Sequence, residues 1–109
     1  MKNTNRYLSL ITTQVNSLNY DQLDLLFSVY LQLNIQFEFF MPTEKHIEFM
    51  NYFLETSSKY HIDTYKSLIT LLTTSYSYES RYPLVLYAID MIKKDYSLHT
   101  IINVLYRNR

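Results

Sequence analysis

Three histidines, His46, His61 and His99, are the natural candidates for metal binding or proton transfer, and no two of them stand three or four residues apart. A single helix therefore cannot aim two imidazoles at one ion. No Asp or Glu precedes a histidine by three residues, so the Glu-x-x-His pattern of di-iron bundles is missing too. Glu44 and Glu48 are four apart, which puts two carboxylates on one helix face where acid–base or hard-cation chemistry could be done. Lys45 and His46 lie between them, and the segment reads as a solvated face. His61 and Asp63 read as a polar loop beside a helix start rather than a catalytic pair.

Cysteine is absent, which removes disulfides, thiolate zinc sites, iron–sulfur clusters and cysteine nucleophiles. Glycine is absent as well. Phosphate-binding loops, dinucleotide fingerprints and nucleophile elbows need glycine where backbone must approach phosphate or turn sharply. Serine and threonine are plentiful but fall at caps, loops and outer faces, where they ordinarily sit. The expectation is a protein that is not an enzyme and holds neither cofactor nor metal.

Tyrosine is the exception in this composition, with twelve copies beside six phenylalanines. Tyr30, Tyr52 and Tyr65 fit helix stripes and read as core. Tyrosine is also an interface residue, since it buries much area, loses little rotamer entropy and keeps a polar tip. Tyr76, Tyr78 and Tyr82 cluster in a polar stretch, and Phe37, Phe39 and Phe40 crowd the end of one helix. These six are the candidate protein-binding residues. An alternative is nucleic-acid association, with tyrosines stacking on bases and Arg81, Lys93, Lys94, Arg107 and Arg109 meeting phosphates. The zero net charge speaks against it, because charge neutralisation supplies most non-specific nucleic-acid affinity.

Charge is nonetheless uneven along the chain. Residues 1–19 carry two basic groups, residues 20–63 seven acids against two lysines, and residues 64–109 six basic groups against three acids. The first reading of this unevenness is solvated helix faces; the sharper one is a dipolar surface that favours head-to-tail or two-fold self-association.

The elements that position these residues follow from apolar spacing. Tyr7, Leu8, Ile11, Val15 and Leu18 predict a helix over 5–18. Asn19 and Gln22 form a capping-box pattern opening a second helix. In it, Leu23, Leu26, Tyr30, Leu33, Phe37 and Phe40 make one seam, and Pro42 is the expected stop. Residues 31–39 also alternate like a strand, but no second strand exists to pair with them, so helix is expected. Because Phe27, Leu31, Ile35 and Phe39 lie off that seam, the second helix is apolar nearly all round. It is either the central helix or one half of a homodimer contact, and the homodimer is the expectation.

Further helices are predicted over 42–58, from Asp63 as N-cap, from Pro83 to about Lys94, and after Ser97. Residues 73–81 read as a loop. The fold class is all-α: a compact single-domain bundle of five to six short helices spanning 1–109. Tyr82-Pro83-Leu84 with Ala88-Ile89, Ile101-Ile102 and Leu105 resembles an ankyrin repeat stripped of its glycines. The same stretch resembles the end of DnaD-type replication modules, and a segment similar to two unrelated families identifies neither.

Residues 25–37, the longest uncharged run, contain Ser28, Gln32, Asn34 and Gln36 and are too short and polar to span a bilayer. Residues 1–20 hold no signal-peptide pattern. A cytoplasmic protein without membrane contact is expected. Scarce alanine and absent glycine beside many Asn, Ile and Tyr point to an AT-rich genome, such as a low-GC bacterium, its phage or plasmid, or a virus. The expected function is a small regulator or inhibitor that binds another protein.

Overall fold

The computed structural model describes residues 2–56, 61–75, 77 and 79–108, with the side chains of all of these but 2–5, 54 and 56. Among the described residues there are six α-helices and no strand: α1 (Lys2–Asn16), α2 (Tyr20–Phe37), α3 (Thr43–Thr56), α4 (Ile62–Ser75), α5 (Tyr82–Lys93) and α6 (Leu98–Arg107), with a 3-10 turn at Glu79–Arg81 leading into α5. The all-α bundle of short helices expected from the sequence is what forms.

Helix starts follow their caps. Asn19 Oδ1 accepts from the Gln22 N–H, and Gln22 Oε1 accepts from the Asn19 N–H, both at 2.9 Å. This reciprocal pair satisfies two of the donors that a helix start leaves open. Ser97 caps α6 in the same sense, its Oγ accepting from the Thr100 N–H. Pro83 occupies the first turn of α5, where its missing N–H costs nothing. At α4 the expectation is off by two residues: the helix begins at Ile62, and Asp63 sits inside the first turn rather than at the cap. There its charge favours the positive end of the helix dipole.

The end of α2 differs from expectation, and the difference has a visible cause. The helix covers 31–37, so the strand-like alternation is incidental, but it stops at Phe37 and does not run on to Pro42. Glu38 turns into the left-handed region at φ 49°, its N–H still bonded to Asn34 O. Buried Asn34 then takes two backbone donors with one oxygen: Phe40 N at 2.8 Å and Met41 N at 3.3 Å. Its side chain thereby folds residues 38–41 back against the helix. Phe39, Phe40 and Met41 are carried into the core as a result, all at most 2% exposed.

α2 is the central helix. It packs against α3, α4, α5 and α6, while α1 packs on α4 and α5. Leu23, Leu26, Val29, Tyr30 and Leu33 are buried along α2, each such side chain contributing about 1.5–3 kcal/mol of transfer free energy. Phe27, off the main seam, is covered by α3: it stacks on Phe53 at 4.8 Å and lies 6.3 Å from Phe49. Of the apolar groups that predicted self-association through this helix, Ile35 is 69% exposed and Phe37 39% exposed. No helix among the described residues is long and apolar enough to cross a membrane.

Candidate functional site

The tyrosines and phenylalanines divide between core and surface, and not as their sequence positions suggest. Phe39 and Phe40 are core residues, which corrects their assignment to a contact surface. Phe40 stacks on Tyr30 at 4.0 Å, and Phe39 meets Phe40 edge-on at 5.1 Å. Tyr82 is also buried, its hydroxyl donating to Thr74 O at 2.8 Å. Phe37 remains partly exposed and stacks on Tyr106 at 4.1 Å. Tyr76, Tyr78 and Arg109 lie outside the described residues. Tyr52, expected in the core, is 45% exposed on α3.

Each buried tyrosine ties up its polar tip. Tyr30 Oη lies 3.0 Å from Ser77 Oγ, and Tyr65 donates to Asp24 Oδ1 at 2.6 Å. Burial pushes the Tyr30 phenol well above the usual tyrosine range, and the Ser77 hydrogen bond offsets part of that rise. Burial also raises the Tyr82 phenol, with the Glu79 carboxylate adding to the effect. Neither group is poised to exchange a proton near neutrality.

Among the described basic residues of the nucleic-acid alternative, Arg81 stands apart from Lys93 and Lys94. Arg81 is half-buried, stacks over the Phe39 ring at 4.4 Å and donates from Nε to Phe39 O at 3.1 Å. It fastens the turn after α2 to the start of α5. Lys93 and Lys94 lie at the other end of α5, about 18 Å away at the rise of an α-helix. Lys94 pairs with Asp90 at 3.1 Å, and Arg107 is exposed at the end of α6.

No group of three or more metal-ligating side chains forms among the described residues. His99 contacts Asn103 one turn on, at 3.2 Å, and burial holds the His46 imidazole below its usual range. Shallow grooves mark the surface formed by the described residues. One of about 400 Å³ lies between α1 and α4 beside Lys66, which donates to Asn16 O. One of about 310 Å³ lies between α2 and α6, walled by Gln32, Gln36, His99 and Asn103.

A third groove, about 270 Å³, separates α1 from α5 and is lined by Leu10, Gln14, Leu86, Asp90 and Lys93. It is the candidate site because exposed Leu10 lies on it and because two exposed tyrosines stand by Lys94, the neighbour in sequence of its lining residue Lys93. Leu10 is 40% exposed, and Tyr87 and Tyr96, 43% and 45% exposed, stand by Lys94. Their proximity and, above all, the Asp90 hydrogen bond hold the Lys94 ammonium more firmly protonated than usual. Lys93 Nζ donates across the groove to Gln14 Oε1 at 2.5 Å. Sequence reasoning missed Leu10, Tyr87 and Tyr96. The available signal was that Leu10 and Tyr87 fall off the core stripes of their own helices.

No protein-family model matches the chain, and neither a curated protein nor a solved structure shows significant similarity to it.

Proposed function

We propose that the chain is a non-enzymatic protein-binding module, a small cytoplasmic regulator or inhibitor, and that it binds another protein through the face around the α1–α5 groove. The observation that carries this reading is exposed Leu10 on a groove crossed by the Lys93–Gln14 hydrogen bond, with exposed Tyr87 and Tyr96 standing by the adjacent Lys94. Leu10 on α1 and Tyr87 on α5 are held by helices and lose little entropy on contact, which is what interface anchors require. A composition skewed toward AT-rich codons suits a regulator from a phage, plasmid or virus.

The test is a photo-cross-linking side chain in place of Tyr87, in cells that make the protein. A discrete cross-linked protein is expected, and it should be lost in a Leu10→Glu background. A control placed at Thr64, exposed on α4, should not capture it. Identical profiles from the two positions would overturn the reading. Cross-linking to nucleic acid instead would favour the alternative.

A further inference from the structure

We infer that the partner seated in the α1–α5 groove is the outer face of α3 from a second copy of this chain. The inference rests on the functional reading above and supplies the partner that reading leaves open.

α3 is an edge helix packed mainly on α2. Phe49 and Phe53 point inward, so the opposite face is left to solvent. On that face Glu44, Ile47, Glu48 and Asn51 follow one another at helical spacing, and all four are exposed, Ile47 at 54%. The strip is thus one aliphatic group between carboxylates. Lys45 reaches Glu48 at 3.6 Å, a loose surface pair that a better partner can replace.

The groove carries the opposite pattern. Leu10 and Leu86 form its apolar floor, and Lys93 stands at its wall. Arg6, exposed one turn before Leu10, adds a second positive charge along the same flank of α1. Asp90 also lines the groove but pairs with Lys94 at 3.1 Å, and Lys93 bonds the neutral Gln14 side chain and so keeps its charge. Ile47 matches the leucine floor in apolar character, and Glu44 and Glu48 are opposite in sign to Arg6 and Lys93. A helix laid into a groove between two helices, anchored at i, i+3 and i+4, is a common recognition geometry.

Strip and groove share no residue and sit on different helices, so each chain offers one of each. The contact is heterologous in kind, and copies add head to tail until the rotation between them closes a ring. The uneven charge along the chain, acidic in the segment that holds α3 and basic toward both ends, has the sign this arrangement needs.

The test uses two exposed charge reversals, Lys93→Glu in the groove and Glu48→Lys on the strip, with sedimentation velocity as the readout and circular dichroism as the check on folding. The wild-type chain should associate, about tenfold or more weakly in high salt than in low. Each variant alone should sediment as a 13.2 kDa monomer. Mixed, they should form a complex, because the intact groove of one meets the intact strip of the other. A wild-type chain that stays monomeric at its highest soluble concentration overturns the inference, as does a mixture that stays monomeric. Tyr87 cross-links to a different protein would then leave the functional reading standing. An absence of any cross-link would remove that as well.

Discussion

The guanidinium of Arg81 lies over the ring of Phe39 while its Nε bonds the carbonyl of that same residue. One side chain thus holds both faces of a turn that belongs to a different part of the chain. Removing it should free the turn after α2. Arg81→Ala is expected to cost about 1–3 kcal/mol in urea unfolding. Arg81→Lys should recover little of it, since an ammonium cannot stack flat and donate at the same time. A lysine variant as stable as the wild type would show that charge alone suffices.

Asn34 carries the same turn from below. Its oxygen serves Phe40 N and Met41 N, whereas its amide nitrogen is buried without a hydrogen-bond partner. Asn34→Ala orphans two backbone donors and should lower stability by about 2–4 kcal/mol, with the denaturant slope unchanged. A loss under half a kcal/mol would mean that water replaces the side chain.

Two acidic residues hold left-handed backbone, Glu38 at φ 49° and Asp95 at φ 64°. A glycine would adopt either conformation without the penalty a Cβ incurs. Glu38→Gly and Asp95→Gly should each raise stability by about 0.5–1 kcal/mol, visible as a rise in melting temperature. The sites lie at the ends of different helices, so the gains should add. Glu38→Ala, with its Cβ retained, should give no such rise.

Burial depresses the His46 pKa below its ordinary 6.5. The fold therefore prefers the neutral ring, and the unfolded chain takes up the proton first as pH falls. The His46 contribution should be whole above about pH 6.5, decline below it, and level off once the folded value is passed. The measurement is the stability difference between the wild type and His46→Gln across that range. It should narrow on acidification, and a constant difference would show that the ring titrates alike in both states.

Helix number, order and most starts were legible in the sequence, because caps such as Asn19–Gln22 and Ser97 act within three residues. What escaped was set by long-range contact. Nothing local to residues 38–41 reveals that Asn34 will gather their backbone, so Phe39 and Phe40 looked like surplus apolar surface. Arg81 reads as a free cation until Phe39 is placed beneath it. The exposed set failed for the complementary reason. Leu10 and Tyr87 could be identified as off-stripe, but only the packing of α1 on α5 brings Leu10 and Leu86 to one groove.

The order in which the chain leaves the ribosome runs against the order in which its helices can be seated. α1 emerges before its partners α4 and α5, so its stripe of Tyr7, Leu8, Ile11 and Val15 must wait until α5 has been made. During that interval α1 is an amphipathic helix without its dock, open to chaperones and to neighbouring chains. Closure of α1 onto α4 and α5 is a non-local step whose loop entropy is lost before any contact rewards it.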